Sequence, residues 1–158
     1  MTSLVSRVDQ VAIPFLRRWG VPTLRIALAI VFIWFGALKV LGVSPVVELV
    51  ASLVYWVDPD WFVPALGVVE LLVGLALALR RWLRTVLLVL AGQVVGTFLV
   101  FILLPHVAFQ DGNPFKLTVE GEFVIKNLVL LGAGMMIGAS IGRSEVVVPL
   151  PTEESAEI

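Results

Sequence analysis

The chain has 158 residues, 59% of them hydrophobic, with a mean hydropathy of +1.05 and a formal net charge of −1. A soluble domain this apolar would expose large aggregating patches, so the composition points to one compact membrane domain. The absence of Cys excludes disulfide frameworks, Cys-ligated metals and CxxC thiol redox chemistry, and a single His excludes a His-rich haem or metal cluster.

Residues 6–19, SRVDQVAIPFLRRW, are too polar to span a bilayer. Val8, Val11, Ala12, Phe15, Leu16 and Trp19 recur at helical spacing, with Arg7, Arg17 and Arg18 elsewhere. The pattern predicts a short helix in the inner interface, bent at Pro14. Residues 1–22 therefore read as an interfacial, cytoplasmic segment leading into the first span, with partner docking as the functional alternative. It does not read as a cleaved signal peptide, because the apolar region beyond is too long and no small-residue cleavage site follows.

The first span is Thr23 to Leu41. Arg25 can snorkel to one interface and Lys39 to the other. Trp34 falls mid-span, where the aromatic-belt argument does not apply; it packs between helices or walls a ligand cavity. From Gly42 to Asp60 the chain is punctuated by polar residues. Ser44 can cap and Pro45 open a helix running to about Val57, with Glu48, Ser52 and Tyr55 as one polar stripe. At about 13 residues it cannot cross, so it lies in the outer interface or re-enters partly. Tyr55, Trp56 and Trp61 supply an outer aromatic belt, and Asp58, Pro59 and Asp60 open the next helix.

The second span, Trp61 to Leu79, carries one charge, Glu70. That carboxylate lies roughly 12–14 Å below the Trp61 end, close to the midplane of a bilayer about 30 Å thick. It should face the protein interior and find a partner or a proton. Arg80, Arg81, Trp82, Leu83 and Arg84 form a tight basic turn. The third span, Thr85 to Leu104, holds Gln93 and Thr97, and Gly92 and Gly96 form a GxxxG pair. Residues 105–122 contain the turn signals Asp-Gly and Asn-Pro, with room for a short hairpin. The fourth span, Phe123 to Ile141, has Lys126 and Asn127 one turn inside it. Gly134, Gly138 and Gly142 make a small-residue ridge, read as packing within the bundle, with dimerisation as the rival. Residues 144–158, with two Pro and four Glu, read as a disordered cytoplasmic tail.

All eight Arg fall on the side of both termini and the short turn, whereas Lys39, Lys116 and Lys126 fall on the other. The positive-inside rule then places both termini in the cytoplasm and four spans in residues 23–143. The basic residues are topological, and no nucleic-acid-binding face is visible. The predicted fold is an all-α, integral-membrane four-helix bundle with short interfacial helices, its lipid bilayer the first partner.

Lys39, Glu70 and Lys126 lie in the same half of the bundle, and a lysine leaning down could meet the carboxylate directly or through water. Gln93 and Trp34 would line the same site if their helix faces agree. The cluster is either a structural ion pair that fixes helix register or a polar site for a small ligand, a quinone head group or a proton. No nucleophile–His–acid set, glycosidase-like carboxylate pair or phosphate loop is present, and no catalytic or metal-ligating residue is assigned.

At these residues the sequence resembles the DoxX-like superfamily of bacterial four-helix membrane proteins. The matching pieces are RIALAIVFIWFGALKV (Arg25 to Val40), ALGVVELLVGLALAL (Ala65 to Leu79) and GEFVIKNLVLLGAGMMI (Gly121 to Ile137). They are most similar to the YkgB-type branch, linked to resistance to reactive chlorine species. The family pattern carries over to Gly36 and Lys39, to Glu70 and Gly74, and to Lys126, while the connection between spans one and two is shorter than in that branch. Relatives include a membrane subunit of a thiosulfate:quinone oxidoreductase and a partner in an oxidant-defence complex. The resemblance implies a bacterial inner-membrane protein with an accessory role in envelope or oxidant-stress physiology and no catalytic machinery of its own. The alternatives are a quinone-facing oxidoreductase subunit, with quinone as the possible cofactor, or a small transporter or scaffold acting as a homo-oligomer or with a membrane or redox partner.

Overall fold

The computed structural model describes residues 2–143; the tail expected over 144–158 lies outside the described residues. The architecture is all-α, and four helical segments are long and apolar enough to cross a membrane: Ala12–Val40, Pro59–Ala78, Leu83–Leu103 and Val119–Ile141. The chain is thus a multi-pass membrane protein.

Helix α1 runs unbroken from Thr2–Val40. The expected separate interfacial helix, bent at Pro14, is instead its first half. Proline removes one N–H from the ladder but keeps a helical φ, so the helix continues through both Pro14 and Pro22. At about 1.5 Å per residue α1 is far longer than a bilayer is thick. Its stretch from Ile13 to Trp19 is exposed on every side, so the excess length stands clear of the bundle. The helix ends in a Schellman turn, with Gly42 at φ 70° and Val43 N–H donating to the Leu38 carbonyl at 3.0 Å.

Helix α2 covers only Val47–Leu53. It is shorter than the sequence pattern suggests, because Val46 is its N-cap and Ser44 contributes only a backbone carbonyl to Val47. Glu48 and Ser52 on this helix and Tyr55 just beyond it are all exposed. Helix α3, Pro59–Ala78, is opened by Pro59 and by Asp58, whose carboxylate accepts from Asp60 N–H at 2.9 Å. It ends in a second Schellman turn with Arg80, at φ 56°, in the left-handed position. Arg25 donates to the Leu77 and Ala78 carbonyls at 2.7 and 3.2 Å, tying α1 to the C-terminal end of α3. The third span is split into α4, Leu83–Phe98, and α5, Val100–Leu103. Thr97 donates its hydroxyl to the Gln93 carbonyl at 2.9 Å just before the break, a bond that commonly bends helices. The short α6, Pro105–Ala108, leads to one isolated bridge between Phe109 and Leu117 where a hairpin was expected. Helix α7, Val119–Arg143, closes the bundle.

Helices α1 and α3 form the largest interface, antiparallel, with α4 against α7 the next. One core cluster joins Leu28, Phe32, Val73, Leu77, Leu90 and Ile137, and a smaller one joins Val100, Ala108 and Val124 near the connecting loops.

Candidate functional site

The α1–α3 contact is set by glycine. A Cβ at Gly36 would lie 2.6 Å from the Gly67 carbonyl oxygen, and one at Gly67 would lie 2.7 Å from the Gly36 oxygen and 2.8 Å from Lys39 Cβ. At Gly74 it would lie 2.9 Å from the Ala29 oxygen. Real Cβ atoms do not approach this closely, so the helices meet backbone to backbone. Val63, Gly67, Glu70, Gly74 and Leu77 lie along one buried stripe of α3, which turns Glu70 toward α1.

This close approach delivers Lys39 to Glu70. Lys39 Nζ donates to Glu70 Oε2 at 2.7 Å, with the two residues only 6% and 7% exposed. The ammonium also lies 6.0 Å from the centre of the Phe35 ring. From α4, Gln93 Nε2 donates to Glu70 Oε1 at 2.5 Å, so both carboxylate oxygens are engaged by side chains of neighbouring helices. The Gln93 amide thus presents its nitrogen to Glu70 and its oxygen elsewhere. That oxygen is buried and has no protein partner.

These three residues line one end of a partly open, largely apolar cavity of about 290 Å³. Its walls come from Phe32 and Phe35 of α1, Leu49 and Leu53 of α2, Leu66 of α3 and Phe123 of α7. The volume sits at the lower end of ligand pockets, roughly 300–1,000 Å³, and a few placed polar groups on apolar walls are the usual lining of such a site.

The structure brings together three of the five residues expected there. Lys126 is not among them. Its side chain is 71% exposed and pairs with Glu122, one turn earlier on α7, at 3.5 Å. Neighbouring Phe123 and Asn127 take the cavity side of that helix, which leaves residue 126 facing away. Trp34 is also displaced from the site: it is 65% exposed on the outer surface, neither packed between helices nor walling the cavity. Asn127 does line the cavity, but it donates to the Phe123 and Val124 carbonyls of its own helix.

The glycines divide in the same way. Gly36 and Gly74 are close-contact positions, as is Gly67, which sequence reasoning did not single out although it lies three residues before Glu70 on the same face. Gly92 and Gly96 have no neighbour of this kind within 4 Å, so among the described residues the GxxxG pair makes no close helix contact, though Gly96 helps line the cavity. Gly134 and Gly138 meet only side-chain methyls of Leu90 and Leu87 at 3.4 Å, ordinary contact within the bundle. The surroundings of Gly142 fall outside the described residues. Gly121, also not singled out, is pressed against the Ala108 carbonyl.

Among known protein families, the model described as DoxX matches residues 20–103, more than half of the chain. No curated protein and no solved structure matches it. The matched region contains Lys39, Glu70 and Gln93 and stops before α7.

Proposed function

Since the chain belongs to the DoxX family, we propose that it is a non-catalytic accessory protein of the bacterial inner membrane that holds a lipophilic molecule with a quinone-type head group. The observation that supports this reading is the Lys39–Glu70–Gln93 cluster at one end of the apolar cavity. A purely structural ion pair would be served by sealed apolar packing. Here the pair adjoins space lined by aromatic rings, where a planar head group can stack while its tail runs into the bilayer. We place the termini in the cytoplasm on the strength of the Arg partition, which puts Lys39 and Glu70 in the outer half of the membrane. Service in oxidant-stress or envelope physiology follows from a lipophilic, redox-active ligand held away from water.

The test is extraction of protein purified in native-membrane nanodiscs, with bound lipids and quinones quantified by mass spectrometry. Wild type should carry a quinone-class molecule at near-stoichiometric amounts, and Lys39→Met should lose most of it. Equal trace amounts in both would sink the proposal. A second reading, a quinone-facing subunit of an oxidoreductase complex, uses the same cavity and is favoured if a redox partner copurifies.

A further inference from the structure

We infer that the end of the bundle at the α3–α4 turn holds an anionic glycerophospholipid, its phosphodiester bridging Arg25 of α1 and Arg80 of the turn. This site is separate from the cavity: Arg25 stands about 21 Å along α1 from Lys39, toward the opposite membrane face.

Arg25 is half-buried and held in place by its own hydrogen bonds. Its Nη1 donates to the Leu77 and Ala78 carbonyls, which anchors the guanidinium at the end of the α3 span. The other edge of the planar group, Nε and Nη2, has no hydrogen-bond partner among the described residues, and neither nitrogen is occluded. That edge is the fork that matches two oxygens of a phosphate. Arg80 is exposed, adopts the left-handed conformation at φ 56°, and lies close enough to Arg25 to repel it. Neither guanidinium has an acidic partner among the described residues. The acid preceding Arg25 on α1 is Asp9, about 24 Å away along the helix. Two cations held together without an anion repel, so the site favours whatever bridges them.

Depth selects a lipid as the bridging anion. The Leu77 and Ala78 carbonyls close the Pro59–Ala78 span, so the free fork lies at the boundary between hydrocarbon and head groups. Trp82, 75% exposed and with the Arg81 guanidinium 5.6 Å from its ring centre, marks the same level. Toward the bilayer centre, exposed Ile26 and Ile30 of α1 and Leu72 and Leu75 of α3 offer apolar surface to acyl chains. A soluble phosphate ester would meet the same nitrogens and leave that surface uncovered. Basic pockets between helices at one membrane face are recurrent seats of anionic head groups.

Native mass spectrometry of the full chain in detergent micelles, titrated with phosphatidylglycerol or phosphatidylcholine, tests this. The two lipids share the phosphodiester and differ in net charge. Wild type should bind its first phosphatidylglycerol about tenfold more tightly than its first phosphatidylcholine. Arg25→Lys keeps the charge and lacks the fork, whereas Arg80→Asn removes a charge and tolerates the left-handed backbone. Each should weaken phosphatidylglycerol about fivefold. Lys116→Asn removes the same charge from the loop before α7, at the far end of the bundle, and should leave binding within about twofold. Equal affinity of wild type for the two lipids overturns the inference. So does unchanged binding in both arginine variants, or a loss in Lys116→Asn equal to theirs. Displacement of the lipid by glycerol 3-phosphate at matched concentration also overturns it, because the site would then serve a soluble anion. If Arg25→Lys fails to fold, Arg80→Asn and the wild-type comparison decide. None of these outcomes bears on the quinone-type ligand, whose cavity lies nearer the other membrane face.

Discussion

The two large helix interfaces are built from the same ingredient and behave differently. Between α1 and α3, Gly36, Gly67 and Gly74 face main-chain atoms at distances no Cβ tolerates. Between α4 and α7, Gly134 and Gly138 face only the ends of Leu90 and Leu87, beside a second cavity of about 190 Å³. The first interface is backbone against backbone and carries the buried charge pair. The second is side-chain packing with room to adjust. A glycine every third, fourth or seventh residue therefore has no fixed meaning. Its meaning depends on whether the opposing surface is backbone or a flexible side chain, and near Glu70 the opposing surface is backbone.

The largest effect should come from removing the charge that the tight interface encloses. Lys39→Met leaves Glu70 with Gln93 as its one side-chain partner among the described residues. Breaking a buried pair costs roughly 3–5 kcal/mol in soluble cores, and less where the carboxyl can take up a proton. Glu70→Gln removes the charge and keeps the shape. If the pair is the main energetic link between the two residues, the double variant should melt closer to wild type than Lys39→Met does. Thermal melts of the helical signal in matched detergent give the cycle, and additive losses would mean that the pair is not coupled.

The next pair of variants tests the comparison directly with one chemical change at two places. Gly67→Ala puts a methyl into the Gly36 carbonyl and the Lys39 Cβ. It should cost about 1–3 kcal/mol by overpacking and should weaken the Lys39–Glu70 coupling measured above. Gly138→Ala puts the methyl 3.4 Å from Leu87 Cδ1, where the neighbour can yield. Alanine is the better helix former by up to about 1 kcal/mol, so this variant should be neutral or slightly more stable. Losses of equal size at both sites would erase the distinction between the interfaces.

How much of this was readable beforehand depends on the quantity sought. Depth in the membrane follows from counting residues along a helix, and it placed Lys39 and Glu70 in the same half of the bundle. The four spans, the polar stripe of Glu48 and Ser52 and the burial of Glu70 rest on hydropathy and periodicity, which are local. Rotation of one helix against another is not local. In a span that is apolar all round, no amphipathic stripe says which face looks inward, so Trp34 and Lys126 could not be assigned a direction. Gly67 carried a usable signal, since it shares a stripe with Glu70 and Gly74. Gln93 was identifiable as a polar residue in an apolar span, whereas its unpartnered oxygen emerges only when three helices are placed together. The joining of residues 6–19 to the first span was hidden because Pro14 and Pro22 suggest a break that the helix does not make.

The smallest expected effect concerns Lys126, whose exposure sharpens the contrast between a charge's depth and its direction. On depth alone Lys126 and Lys39 are equivalent, and both are candidates to neutralise Glu70. The structure separates them by face: Lys39 is enclosed against Glu70, whereas Lys126 points outward and pairs with Glu122. An exposed pair one helical turn apart contributes about 0.3–0.5 kcal/mol. Lys126→Met should therefore shift the melt only slightly, and it should do so equally in wild type and in Glu70→Gln, because the two residues share no partner. Lys39→Met, by contrast, should lose most of its effect in the Glu70→Gln background. Measuring both lysine variants in both backgrounds decides the matter. Coupling between Lys126 and Glu70 comparable to that of Lys39 would mean that α7 can rotate to bring a second cation into the site, and that the charge pair is one arrangement among two.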